Sequence, residues 1–383
     1  MARKATNVNG FNGRVEQQGP GLDLETRLDH IRKVGEEIIT EEELRTLLET
    51  NNHPTAYDGF EPSGLANLAF GVLRPILVDD MLKAGVKMKL LLADWFGWVN
   101  SKMGGDLETI QTVGRYLIEV WRAAGVDTSR VEMLWTSDAT KNEEYWKRVI
   151  TVAQNSTLAR TQRAVTIMGR TAKDLIQTAQ LFYPMMQVAD IFWLDVDICQ
   201  LGLDQRRANI LAREIADKMK WKKPVAVHHH MMIGLQGKKE AEGFDENGAL
   251  DQEIASKMCK SKPETSIFVH DSREQILAKV NSAYCPPKVL EGNALMEYSR
   301  YVIFRKMKSL KVERPERYGG NAEFFSYAEL EDAFKKGNLH PADLKKGVGE
   351  SLDRIIAPVR DHFEKDPAAR RLYLSVRSAE TTL

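Results

Sequence analysis

After residue 50, short apolar runs of β type alternate with stretches of helical periodicity, and after about residue 264 the alternation stops. That pattern restricts the fold more than any other feature of the chain. Strand–helix alternation favours a parallel sheet covered by helices on both faces, and ligands of such sheets bind at the carboxyl ends of the strands where the strand order reverses. Residues 87–94, 131–136 and 224–229 are predicted strands, and a further strand ends at Tyr57–Asp58. Helical periodicity covers 22–50, 107–124 and most of 142–170, and Thr40 with Glu43 predicts a capping box. The run of helical segments at 272–283, 294–308, 327–335 and 341–364 predicts a separate helical domain. The fold class is therefore α/β: a Rossmann-like parallel-sheet domain over 21–263, then an all-helical domain over 264–383. Residues 1–20, rich in Gly, Asn and Gln, read as a flexible tail, and the charged stretch 237–255 as a mobile surface insertion.

Composition narrows the partners. The 54 basic and 54 acidic residues cancel, so a global basic field for nucleic acid is absent and any RNA contact must use local patches. The cysteines, Cys199, Cys285 and Cys259, form no pair at metal-ligand spacing; they point to a reducing, cytoplasmic setting, with Cys199 and Cys285 structural. No apolar run approaches the roughly 18 residues of a membrane span, and the first residues lack an apolar signal core.

Three stretches carry chemistry. The first, Gly59-Phe60-Glu61-Pro62-Ser63-Gly64, follows a strand and precedes a helix expected near Leu65. It suits a backbone that approaches a phosphate at a helix N-terminus, but alone it fits an ordinary βα turn better. The second, Lys257-Met258-Cys259-Lys260-Ser261-Lys262, is either a solvated loop or a set of point charges that closes over a triphosphate. In the third, Tyr183, Gln187 and Asp190 fall on neighbouring turns of one helical face, followed by Asp204-Gln205-Arg206-Arg207. An acid in an apolar segment needs a donor, and a ligand hydroxyl is one candidate; a surface acid or cap is the simpler alternative. His228-His229-His230 ends a strand, where neighbours point to opposite faces, so no metal cluster is expected and His228 is assigned to the nucleotide side of the cleft.

Taken in this order, the stretches resemble the tyrosyl-tRNA synthetases of the archaeal and eukaryotic cytosolic type, which are class I aminoacyl-tRNA synthetases. The resemblance runs from about Leu22 to Pro358 and includes Ala283–Pro287, Glu291–Asn293, Arg314–Gly320 and Leu339–Lys345. It implies a ligase that activates L-tyrosine with ATP and transfers it to tRNA(Tyr), with Mg²⁺ carried by the phosphates. It also implies a homodimer with no membrane association, for which residues 155–169 are the candidate interface.

By the same resemblance, Tyr57 and Asp190 bind the substrate phenol. Tyr183, Gln187 and Gln205, with Glu61 close by, hold its amino group, and Ala93 and Phe96 wall the pocket. Gly59, Gly64 and Asn67 form the ATP-side turn, and Lys257 and Lys260 are the lysines of the mobile signature loop, so Asn67, Lys257 and Lys260 are the candidate catalytic set. Arg163 and Arg206 approach the acceptor stem. Tyr318, His340 and Asp343 hold the first anticodon base, and the basic stretch Arg305, Lys306, Lys308, Lys311 and Arg314 meets phosphates. No metal ligand set is implied.

Two positions depart from the family pattern. Asn67 stands where the signature begins with a histidine, and Cys259 where the lysine loop has a serine. An amide donates a hydrogen bond but cannot become cationic, so the expectation is an active enzyme slowed at adenylate formation. Two rivals are a tryptophanyl synthetase, which Tyr57 with Asp190 argues against, and an inactive paralogue that binds RNA or protein. Only Asn67 and Cys259 support the second rival.

Overall fold

A computed structural model describes residues 22–168, 177–238, 252, 254–258 and 262–381. The expected tail, most of the insertion, Cys259 and Lys260 lie outside the described residues.

The sheet forms as the alternation demands. Its strands are β1 (Glu37–Ile39), β2 (Thr55–Phe60), β3 (Lys87–Leu92), β4 (Val131–Trp135), β5 (Ile198–Gly202) and β6 (Val225–His229), in the order β1-β6-β5-β2-β3-β4. All neighbours are parallel except β1, which runs antiparallel to β6. Chain order proceeds outward from β2 through β3 to β4 in one direction, and from β5 to β6 in the other. The β2/β5 seam is thus the topological switch point, and a ligand cleft belongs at its carboxyl end.

Three strands of this sheet differ from the sequence reading. The helical segment 22–50 is two helices, Leu24–Arg32 and Glu41–Thr50, separated by β1; the capping box at Thr40 and Glu43 is present. Three residues are too short to show a period. β5 was not expected because Gln200 interrupts its apolar run; that side chain is fully buried and bonds His229 Nδ1 at 2.8 Å. β2 also runs two residues past Asp58, and the following helical segment begins at Leu68 rather than Leu65, passing through a π-turn (Ala69–Leu73) into the helix Arg74–Lys83.

The C-terminal region is helical, with Arg273–Ser282, Tyr327–Lys336 and Pro341–Lys365 close to expectation. It is not helical throughout. β7 (Leu310–Val312) and β8 (Ala322–Phe324) form a small antiparallel pair, and a last helix, Pro367–Thr381, packs back against the helix Leu107–Ala123. One apolar core runs from Leu28 through the sheet to Val376, while a second surrounds Tyr57 and the helix Phe182–Trp193.

Candidate active site

Strand alternation sends the side chains of β2 in opposite directions: Tyr57 joins the second core, while Ala56 and Phe60 join the first. The cleft at its carboxyl end has a volume of about 1550 Å³. That exceeds the 300–1,000 Å³ typical of a pocket for one small molecule, so it has room for more than an amino acid.

One half of the cleft is an aromatic pocket. Tyr57 comes from β2, Ala93 and Phe96 follow β3, and Tyr183, Gln187 and Asp190 project from one face of the helix Phe182–Trp193, as their spacing predicts. The Phe96 and Tyr183 rings meet edge to face at 4.7 Å. Asp190 is 2% exposed and accepts from Tyr145 Oη at 2.9 Å. Burial pushes the Asp190 carboxyl well above the usual carboxylate range, and the Tyr145 bond only partly offsets this. The Tyr57 hydroxyl is buried without a well-formed hydrogen bond, and burial pushes its pKa up, so it stays protonated. Both groups are costly to leave as they are, and a ligand hydroxyl between them would relieve the cost.

The mouth of the pocket is a chain of polar groups. Glu61 accepts from Tyr183 Oη at 3.1 Å and from Asn100 Nδ2 at 2.9 Å, with Lys102 at 3.8 Å. Burial raises the Glu61 carboxyl, opposed by Lys102 and these two donors. Gln187 Nε2 donates to Gln205 Oε1 at 3.1 Å, and Gln205 Nε2 to the Ile167 carbonyl at 3.0 Å. An acceptor carboxylate beside two fixed amides suits an ammonium group.

The other half of the cleft is charged. Gly59, Ser63, Asn67, Phe70, Arg74, Asp204, His229 and Lys257 line it. Gly64 has φ +104°, which favours glycine, and lets the chain turn between Ser63 and Leu65. Asn67 Oδ1 accepts from Phe70 N at 3.0 Å and so caps the helical start, fixing its amide in the wall. Lys257 Nζ donates to Asp204 Oδ2 at 2.8 Å; burial raises the Asp204 carboxyl, but Lys257, with Arg74 and Gln205, outweighs it and leaves it below its ordinary value. The start of the lysine loop is pinned by Met258 N to the Met232 carbonyl at 2.7 Å. Lys260 falls outside the described residues.

The histidine assignment is corrected by one residue. His229, not His228, lines the cleft. His228 faces away, held by Glu37 at 2.7 Å and Asn209 at 2.9 Å, because alternation along β6 places it on the opposite face. Among the described residues no cluster of His, Cys, Asp and Glu could hold a metal ion.

The other predicted residues lie elsewhere. Arg163 lines a separate hollow of about 290 Å³ with Arg160 and Lys218. Arg206 grips Glu37 through Nε at 2.9 Å. Tyr318 is 59% exposed, and His340 caps the helix Pro341–Lys365 by accepting from Ala342 N, with Asp343 in its first turn. Arg314 ties their two loops together, bonding the carbonyls of Gly320 and Asn338 at 2.6 and 2.9 Å. Arg314 and Arg305, which pairs with Asp80, are thus committed to internal contacts rather than presented to a phosphate.

Comparison with known proteins agrees with this geometry. The model of the family "tRNA synthetases class I (W and Y)" matches residues 49–241 and 249–357. The chain belongs to that family. A protein named "Tyrosine--tRNA ligase 1, cytoplasmic" from Arabidopsis thaliana is 44% identical over 363 residues, covering 94% of this chain and 90% of the relative. The tyrosine–tRNA ligase of Sulfurisphaera tokodaii is 46% identical over 90% of this chain and 94% of its own. The tyrosyl-tRNA synthetase of Pyrococcus horikoshii, solved with L-tyrosine, superposes with a TM-score of 0.84 at 38% identity, over 92% of this chain and 100% of that one.

Three contributors to the site escaped sequence reasoning. Tyr145 sits in the stripe Tyr145, Val149, Val152 and reads as core; only its hydroxyl hinted otherwise. Asn100 reads as a turn residue after the helix Asp94–Val99. Gly202 ends β5, where an added Cβ would lie 2.6 Å from Asp204 Oδ1; glycine there lets Asp204 fold back toward Lys257.

Proposed function

We infer that the chain is a tyrosine–tRNA ligase, which forms tyrosyl-adenylate from L-tyrosine and ATP and passes the tyrosyl group to tRNA(Tyr). The observation that carries this reading is the Tyr57–Asp190 pair at the closed end of an aromatic pocket, with hydrogen-bonding capacity left for one hydroxyl. An indole ring brings a donor N–H but no acceptor, and would leave the Tyr57 hydroxyl unpaired.

On this reading Glu61, Tyr183, Gln187 and Gln205 hold the ammonium group and turn the substrate carboxylate toward the charged half. The carboxylate attacks the α-phosphorus and pyrophosphate leaves; a hydroxyl of the 3′-terminal ribose of the tRNA then attacks the activated carbonyl and AMP leaves. Among the described residues no side chain is placed as a general base, so the rate comes from positioning and fixed charge. Gly59, Gly64 and Asn67 shape the nucleotide side, and Lys257 with Lys260 neutralises the leaving pyrophosphate. Mg²⁺ fits this site as an ion carried by the phosphates, since Asp204 is already engaged by Lys257.

The finer assignments follow the same reading. Arg163 and Arg206 face the acceptor stem, and Tyr318, His340 and Asp343 the first anticodon base. The catalytic unit spans 21–263, the anticodon-binding unit 264–383, and residues 155–169 form the homodimer contact. A cytoplasmic location agrees with the buried free thiols of Cys199 and Cys285. Among the described residues no helix is long and apolar enough to cross a membrane.

The test is ATP–pyrophosphate exchange on the purified protein with tyrosine, phenylalanine or tryptophan. Exchange with tyrosine alone is expected. No exchange with any of the three, in folded protein that still binds tyrosine, would replace the ligase reading with the RNA- or protein-binding one.

A further inference from the structure

The face of β2 opposite Tyr57 carries a charge pair that the reading above does not use. Asp58 is completely buried, and neither of its carboxylate oxygens makes a hydrogen bond. Its counter-ion is Arg74, at the start of the helix Arg74–Lys83, with Nη1 at 3.4 Å from Asp58 Oδ1. That Nη1 is itself buried without a hydrogen bond. The contact is an ion pair without the two-pronged geometry of which arginine and carboxylate are capable.

A pair built only for stability would close these bonds, because a buried charge with open valences is expensive. The orientation of Arg74 shows what the openness is for. Its guanidinium lies over the rings of Phe70 and Phe60, at 5.5 and 5.9 Å, which fixes its plane. Its side chain is 17% exposed, and it lines the charged half of the cleft together with Asn67, Asp204, His229 and Lys257. Arg74 is therefore anchored from behind by Asp58, clamped from the sides by two rings, and open in front to the cleft.

We propose that Arg74 is a phosphate-binding residue of this site: held on Asp58, it supplies a fixed positive charge to the phosphates of ATP beside Lys257. The proposal deepens the ligase reading and rests on it. Asp58 is a positioning residue, acting only through Arg74. The neighbourhood agrees, since burial, countered in part by Arg74, pushes the Asp58 carboxyl up to about 6.

The experiment is tyrosine-dependent pyrophosphate exchange, with KM measured separately for ATP and tyrosine, on wild type, Arg74→Met, Arg74→Lys and the double variant Asp58→Asn/Arg74→Met. The double variant removes both charges and so leaves no buried ion unpaired. We expect Arg74→Met and the double variant to raise KM for ATP by about tenfold to a hundredfold, the loss of one charged hydrogen bond, with KM for tyrosine within about twofold of wild type. Arg74→Lys should recover part of the loss, since it keeps the charge but not the stack. A double variant with wild-type KM and kcat for ATP would overturn the proposal and leave the pair a structural one. Failure of the wild-type protein to exchange would fell the ligase reading itself, and the wild-type control tells the two failures apart.

Discussion

The two halves of the cleft are built on opposite economies. In the tyrosine half the groups are clamped by one another: Tyr145 on Asp190, Tyr183 and Asn100 on Glu61, Gln187 on Gln205. They project from two helices, Glu143–Gln154 and Phe182–Trp193, and from the turns that follow β2, β5 and the helix Asp94–Val99, and most are buried. The nucleotide half holds charges on longer stems, Lys257 against Asp204 and Arg74 against Asp58. The contrast teaches where each half obtains its energy. A small neutral ring is recognised by groups that have already given up their water; a triphosphate, which brings its own charge, is met by cations on long side chains.

The largest effect should break the tyrosine half alone. Asp190→Ala is expected to lower kcat/KM for tyrosine by about 10³-fold, roughly 4 kcal/mol, since it removes a buried partner of the substrate phenol and strands the Tyr145 hydroxyl. ATP binding, measured by calorimetry, should hardly change. Lys257→Ala should do the converse. Exchange should slow about a hundredfold, with tyrosine affinity by fluorescence titration unchanged; equal damage to both would end the division into halves.

A third prediction tests the floor beneath both. His230 lies between Glu36 and Glu297 at 2.9 and 3.0 Å. Burial alone would lower its pKa, but the two carboxylates win and raise it to about 9. Its folded value is therefore above the ordinary 6.5, so its contribution is complete below about pH 6.5 and is lost as pH rises toward 9. Denaturant unfolding should show roughly 3 kcal/mol lost over that window, and His230→Gln should flatten the loss. The smallest effect sharpens the tyrosine half: Tyr145→Phe removes one donor to Asp190 and should raise KM for tyrosine by about fivefold, near 1 kcal/mol. No change would mean that Asp190 is positioned by packing alone.

How far the sequence carried each part follows from its physics. β3, β4 and β6 were legible as apolar runs closed by polar or turn residues. β1, β7 and β8, of three residues each, have no period to read, and β5 hides behind Gln200, whose hydrogen bond to His229 compensates its burial. The helical face of Tyr183, Gln187 and Asp190 was visible in spacing, but its meaning came from the resemblance. Tyr145 and Asn100 were invisible, because a buried tyrosine and a helix-ending asparagine look the same whether or not they touch a site. The slip from His229 to His228 is the usual cost of a two-residue period: one position of error exchanges the faces of the sheet.

The unbroken apolar core that joins Leu28 to Val376 gives the molecule a thermodynamic character that its outline conceals. Sheet and C-terminal helices share one set of contacts, so melting one removes the support of the other, and a calorimeter should record a single transition. Any molecule bound at one end then lifts the melting temperature of the whole chain. A tRNA gripped far from the cleft would protect the cleft from heat without touching it.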